Sequence, residues 1–301
     1  MTEIISGESL YQWREWASQL AKENDISLSE VDWFLQGFSD LSSLSLRLNS
    51  YQNQAQIPLR EPLTILTERW KQRISHRVPV QYLTGETPWR SFSLTVTPEV
   101  LIPRPETELI IDLAQQLVEH SPIAATLTSR HWADLGTGSG AIALGLAQQF
   151  PTATIHATDL SPKALEIAKL NAQRHDLSQR ITFHQGSWLD PLSHLEGQLA
   201  GILSNPPYIP TQTVLTLQPE VKEHEPHLAL DGGVDGLDSI KELIRASATY
   251  LQPGGLWLIE LMKDQAPIVS SLLAQQDSYT NITSHPDLSG IQRFVSAYKA
   301  L

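Results

Sequence analysis

The chain contains no cysteine, which excludes disulfides, cysteine-ligated zinc and a thiol nucleophile. Long apolar runs are missing too: a stretch such as 256–261 falls far short of the roughly 20 residues that a membrane-crossing helix needs. The first ten residues show no basic start followed by an apolar block, so no secretory leader is expected. Together these absences predict a soluble, cytoplasmic protein with no membrane partner. Basic charge is also scarce. Lys and Arg number 21 against 33 Asp and Glu, a net charge of −12. Residues 1–90 carry 9 basic and 11 acidic side chains, and the remainder carry 12 and 22. Nonspecific nucleic acid binding depends on many Lys/Arg–phosphate contacts. No stable nucleic acid binding is therefore expected, and a protein or small-molecule partner fits better. The 10 histidines are scattered, none paired at ligand spacing beside a carboxylate cluster, so no metal site is predicted.

The chain does have 301 residues, 41% of them hydrophobic, enough for a large and a small domain with real cores. Residues 1–84 read as short helices. Leu10, Trp13, Ala17 and Leu20 share one helical face, Ser29 is the predicted cap of a second helix carrying Val31, Phe34, Leu35 and Phe38, and Pro62 suits the first turn of another. Trp13, Trp16, Trp33 and Trp70 are assigned to the core of this bundle, rather than to a binding surface. Residues 85–103 break into a proline-rich linker in which Phe92, Leu94 and Val96 alternate as in a β-hairpin. The stretch 106–119 looks helical.

Beyond residue 130 the pattern alternates. Strands are predicted at 131–135, 154–159, 181–186, 200–204, 256–261 and 293–299, and helices at 141–149, 162–174, 238–251 and 266–275. Such alternation implies an α/β fold, a Rossmann-like, mostly parallel sheet with helices on both faces, over residues 104–301. Ligands of such sheets bind beyond the carboxyl ends of the strands.

Two segments sit at those ends. Asp134-Leu135-Gly136-Thr137-Gly138-Ser139-Gly140 follows a strand and opens a helix, a turn that lets a ligand approach the backbone. Gly136, Gly138 and Ala141 also satisfy the dinucleotide fingerprint, so this turn alone leaves the cofactor open. Asp159 ends the next strand, where a carboxylate can accept from both hydroxyls of a ribose, although Asp159, Ser161 and Pro162 would also start a helix without any ligand. Trp188 ends the third strand, either beside an adenine or in the core. The second segment is Asn205-Pro206-Pro207-Tyr208, followed by Ile209-Pro210. Three prolines in five residues cannot lie in a central strand, so the segment is a rigid loop at its carboxyl end.

The tetrapeptide has a chemical logic. The nitrogen of an amide or an aromatic amine is a poor nucleophile because its lone pair is delocalised. The Asn205 side-chain oxygen and the Pro206 carbonyl are acceptors for its two N–H groups, and neither proline offers a competing donor. The Tyr208 ring would cover the flat group. Held this way, the lone pair faces a methyl donor, and positioning of that kind supplies up to roughly 7–11 kcal/mol. These residues point to methyl transfer from S-adenosylmethionine. A nicotinamide enzyme has no use for the tetrapeptide.

Several further segments resemble the release-factor glutamine N5-methyltransferase family. They are Pro79-Val80-Gln81-Tyr82-Leu83-Thr84-Gly85, Val100-Leu101-Ile102-Pro103-Arg104-Pro105-Glu106-Thr107-Glu108, His224-Glu225-Pro226 and Leu230-Asp231-Gly232-Gly233-Val234-Asp235-Gly236-Leu237. The resemblance runs over most of the chain from Pro79, and the segments at 102–108 and 232–237 are more particular to the family than the tetrapeptide. It implies seven strands, S-adenosylmethionine as cofactor, and methylation of the glutamine in the Gly-Gly-Gln motif of class I peptide chain release factors. It implies that Gly136, Thr137, Gly138, Ser139, Gly140, Asp159, Trp188 and Asn205 line the cofactor and that Asn205, Pro206, Pro207 and Tyr208 hold the glutamine. It also implies that Arg104 and Glu106 lie near the substrate, with Arg104 bracing the two domains as an alternative, and that the helical start is a docking domain. The chain departs from the pattern at Glu260-Leu261-Met262, where relatives often have a glycine turn, and at Asp287–Arg293, where they more often have a second acidic residue before the arginine. The rival reading is an N-methyltransferase for an exocyclic amine of a DNA or RNA base, which the tetrapeptide would grip equally well after base flipping.

Overall fold

The structure, a computed structural model, describes residues 2–301. The chain divides into two compact units, one running to Glu86 and including Gln218–His224, the other comprising Thr87–Leu217 and Glu225–Leu301.

The first unit contains β1 (Glu3–Ile5), α1 (Gly7–Glu23), α2 (Leu28–Phe38), α3 (Ser43–Leu48), β2 (Ile57–Leu59), α4 (Leu63–His76) and α5 (Val80–Thr84). The antiparallel β1–β2 ribbon lies outside what periodicity predicts, because each strand has only three residues. In α1, Ser6 caps the first turn by accepting from Ser9 N, and Leu10, Trp13, Ala17 and Ala21 are buried. Two expectations shift along the chain. Ser27, not Ser29, stands at the start of α2, and Pro62 stands just before α4, not inside its first turn. The tryptophans are core as expected. Trp13 and Trp70 are buried and their indoles donate to Thr67 Oγ1 at 2.9 Å and to Ala17 O at 3.2 Å, while Trp16 and Trp33 pack against the same cluster. Satisfied N–H groups are what permit such burial.

The second unit opens with the antiparallel hairpin β3 (Glu86–Trp89) and β4 (Phe92–Thr95), as the sequence predicts. A 3-10 turn, Pro105–Glu108, leads into α6 (Leu109–Glu119), and α7 (Ala124–Leu127) follows. Then come β5 (His131–Leu135), α8 (Ala141–Gln149), β6 (Thr154–Asp159), α9 (Pro162–Arg174), β7 (Ile181–Gln185), β8 (Leu199–Ser204), α10 (Thr211–Val214), α11 (Pro219–Lys222), α12 (Asp238–Tyr250), β9 (Leu251–Glu260), α13 (Ala266–Ala274), β10 (Tyr279–Pro286) and β11 (Gln292–Lys299). The α11 turn lies in the segment that belongs to the first unit, where Glu220 accepts from Arg73 at 2.9 Å and pairs with Arg77 at 2.8 Å.

Seven strands form one sheet in the order β10-β11-β9-β8-β5-β6-β7. The run from β9 to β7 is parallel, and β11 joins β9 and β10 antiparallel. Successive residues serve opposite faces: Trp132 and Leu258 enter one core, Ala133 and Trp257 the other. Among the described residues no helix is long and apolar enough to cross a membrane.

Candidate active site

The carboxyl ends of β5, β6, β7 and β8 surround a cleft of about 340 Å³ within the second unit, a size that suits a nucleoside-sized ligand. Gly136, Gly138, Asp159, Trp188, Asn205 and Pro207 line it.

The glycine side builds itself from contiguous chain. The N–H groups of Gly136 and Thr137 both donate to Thr158 O at 2.9 Å, which ties the turn to the end of β6. Asp159 Oδ2 accepts from Gly138 N at 2.9 Å and Oδ1 from Ser161 N at 2.8 Å. Asp159 therefore serves the helix start, as in the simpler reading, while still facing the cleft. Burial lifts its carboxyl above the usual range, and those amide donors pull it back. At Gly138, with φ +52°, an added Cβ would meet no protein atom within 4 Å, so the room its absence leaves belongs to the cleft. Thr137 and Ser139 are buried beneath the turn, Thr137 donating its hydroxyl to Asp134. They shape the turn from below and are not among the lining residues, and the same holds for Gly140, which starts α8. Trp188 has a left-handed φ of +44° and packs partly against the second core as well as lining the cleft.

The tetrapeptide side is held by distant chain. Asn205 Nδ2 donates to Thr107 Oγ1 at 3.2 Å, Thr107 donates to Glu260 Oε2 at 2.6 Å, and Tyr208 Oη donates to Glu260 Oε1 at 3.1 Å. Burial and the neighbouring Glu260 charge hold the Tyr208 phenol well above its ordinary range, so it stays a neutral donor. Gln265 Nε2 donates to Tyr208 O at 2.9 Å and to Gly236 O at 3.2 Å, while its Oε1 accepts from Met262 N. Ile209 N donates to Leu230 O, and Gly232 N to Ile209 O. The segment 230–237 thus clamps the loop after β8, and Met262 joins the clamp through its backbone.

Arg104 and Glu106 do not line the cleft. Arg104 Nη2 grips both oxygens of the buried Glu225 at 2.9 and 2.8 Å, and both residues belong to the second unit, so this pair does not brace the two units. Glu106 is exposed, and its charge opposes ionisation of Glu260. Sequence reasoning missed Thr107, Glu260 and Gln265. Thr107 lay inside a segment already marked as particular, which was the available signal. Among the described residues no group of three or more His, Asp or Glu is arranged to hold a metal.

Residues 110–235 match the methyltransferase small domain family. A relative from Synechocystis sp., "Release factor glutamine methyltransferase", is 52% identical over 98% of this chain and 97% of its own length. One of the same description from Thermosynechococcus vestitus is 47% identical over 97% of this chain and 99% of its own. Among solved structures, the hMettl16 catalytic domain bound to an MAT2A 3′UTR hairpin superposes with a TM-score of 0.54 over 78% of this chain and 80% of that one. At 18% identity this likeness concerns the fold alone.

Proposed function

Because the chain belongs to the release factor glutamine methyltransferase family, we propose that it methylates the side-chain nitrogen (N5) of the glutamine in the Gly-Gly-Gln motif of class I release factors, with S-adenosylmethionine as donor. The observation that carries the reading is the convergence of Asn205 and Pro207 with Gly136, Gly138 and Asp159 on one cleft. The residues suit the donor. Asp159 keeps lone pairs for ribose hydroxyls, the space beside Gly138 admits the amino acid end, and Trp188 is placed to flank an adenine. Bound S-adenosylmethionine supplies a methyl group on a sulfonium, ready for in-line displacement.

The chain's own work is to present the nucleophile. Asn205 Oδ1 and the Pro206 carbonyl accept the two N–H bonds of the glutamine amide, which localises the nitrogen lone pair toward the methyl. Pro207 makes that loop stiff, and the Tyr208 phenol is anchored on Glu260 so that its backbone and ring hold the loop's far end. With the donor bound, the nitrogen–carbon bond would form as the carbon–sulfur bond breaks, and the methylated nitrogen would give its proton to solvent. No strong base need stand beside it. The helical first unit is assigned to docking the factor, and the reaction to the cytoplasm.

The test is transfer from labelled S-adenosylmethionine to a purified class I release factor, with its Gly-Gly-Gln glutamine changed to alanine as control and with DNA and an RNA hairpin in parallel. Label on the wild-type factor alone is expected. Label on a nucleic acid instead would keep the chemistry of Asn205 and overturn the acceptor.

A further inference from the structure

The proton inventory around Asn205 is set by two side chains outside the tetrapeptide. Glu260 closes β9 and is buried, and each of its oxygens already receives a hydroxyl: Oε2 from Thr107 at 2.6 Å and Oε1 from Tyr208 at 3.1 Å. Burial pushes its carboxyl above the usual range, and the two hydroxyl donors and the charge of Arg293 oppose that shift. An ionised carboxylate only accepts. In the geometry found, Thr107 gives its single proton to Glu260 at 2.6 Å, so its Oγ1 meets Asn205 as an acceptor. The Asn205 group 3.2 Å away is the amide nitrogen, which leaves Oδ1 for the ligand.

That orientation matters because the terminal torsion of asparagine is soft and nearly two-fold. Turned over, the side chain would set an NH₂ group against the NH₂ of the acceptor, two donors with no bond between them. The same carboxylate also grips the other end of the motif through Tyr208, so one buried charge sets both ends of the tetrapeptide. We propose that Thr107 and Glu260 are positioning residues for methyl transfer, whose hydrogen-bond chain holds the Asn205 amide with its oxygen toward the acceptor nitrogen. The inference rests on the role given to Asn205 above.

The test measures kcat, the KM for full-length release factor and the Kd for S-adenosylmethionine in the intact protein and in Thr107→Val, Thr107→Ser, Glu260→Gln and Asn205→Ala variants. Valine keeps the shape of threonine and removes the hydroxyl. It is expected to lower kcat about 10–100-fold, the range found when partners that orient metal ligands are removed, with cofactor affinity retained. Serine restores the hydroxyl, and most of the kcat is expected to return. Glu260→Gln places an NH₂ against one of the two hydroxyls and is expected to lower kcat likewise. A Thr107→Val protein with undiminished kcat beside an inactive Asn205→Ala protein overturns the positioning role and leaves Asn205 in place. So does a Thr107→Val loss that serine fails to restore, because the methyl group and not the hydroxyl would then matter. An active Asn205→Ala protein overturns instead the reading on which the inference stands. If the Glu260→Gln protein does not fold, the valine–serine pair decides alone.

Discussion

Asp134 beneath the glycine turn and Glu260 beneath the tetrapeptide occupy matching places, each a buried carboxylate near the carboxyl end of a central strand, and each takes the hydroxyl of a threonine. They differ in reach. Asp134 binds Thr137 three residues on and the N–H of Ala143 nine residues on, so strand, turn and helix close on their own carboxylate. Glu260 binds Thr107 and Tyr208, 153 and 52 residues away in the chain. The glycine turn thus closes within β5, α8 and the adjacent end of β6, whereas the tetrapeptide is held only when β8, β9 and the turn before α6 are all assembled. Donor binding should tolerate distant damage that acceptor positioning does not.

The strongest way to break this contrast is a pair of variants, Asn205→Ala and Asp159→Ala. Losing the pre-placed acceptor of Asn205 is expected to cost roughly 10²–10³ in kcat. Asn205 also lines the donor's cleft, so a small rise in cofactor Kd should accompany it. Asp159→Ala removes the acceptor of the Gly138 and Ser161 amides and the predicted ribose contact. Its main effect should be on cofactor Kd, with kcat at saturating donor largely kept. Calorimetry and steady-state kinetics on the two proteins separate these outcomes, and equal damage to both parameters in both would abolish the division.

The same difference in reach decided what could be read from sequence. The glycine turn, Asp159, the tetrapeptide and six of the sheet's strands are contiguous patterns, so periodicity and spacing exposed them. Tyr279–Pro286 was invisible because this edge strand alternates almost wholly polar residues. The start of β9 was hidden by Pro253, Gly254 and Gly255, which fall in the register irregularity between the Leu199–Leu251 and Gly201–Leu256 pairs. Glu260 and Gln265 carry no local signature of their role, and Thr107 only its place in the 102–108 segment, since their partners lie in other elements. The histidines appeared scattered, yet His131 Nδ1 lies 2.9 Å from His156 Nε2, and His156 Nδ1 lies 3.0 Å from His184 Nε2, across three neighbouring strands. Likewise, nothing in the run Gln218–His224 says that it joins the helical unit, because the arginines that hold Glu220 are about 145 residues earlier.

Asp134 also offers a test through pH. Burial raises its carboxyl to about 7 in spite of the bonds from Thr137 and Ala143, and its Oδ1 has no partner. The unfolded chain releases this proton near pH 3.9. Between about pH 4 and pH 7 the folded state therefore holds more protons, so this group's contribution to stability falls as pH rises through that window and is flat above it. At about 1.4 kcal/mol per pH unit, the loss from pH 5 to pH 8 is about 3 kcal/mol. Asp134→Asn keeps the proton count of the neutral acid and should remove that slope. Urea unfolding of both proteins at the two pH values measures it. Parallel pH dependences would show that Asp134 is ionised throughout and that the turn rests on a charge.

The smallest expected effect sharpens the contrast most. Gly236, in the clamp, has φ +73°, and a Cβ there would collide with the carbonyl oxygen of Tyr208 and sit 2.8 Å from Gln265 Nε2. Alanine can enter only if the Tyr208 backbone retreats, and the left-handed backbone itself costs about 1–3 kcal/mol. The matching position on the cofactor side is Gly138, whose φ is +52° and whose Cβ would meet only the open cleft. The two substitutions are chemically identical and similarly strained, yet they should diverge. Gly236→Ala is expected to lower kcat about tenfold, the equivalent of about 1.4 kcal/mol in the barrier, while cofactor Kd holds. Gly138→Ala should raise cofactor Kd and spare kcat at saturation. If Gly236→Ala also weakens the cofactor, strain at the clamp crosses the cleft, and the glycine turn is less self-contained than its short-range bonds imply.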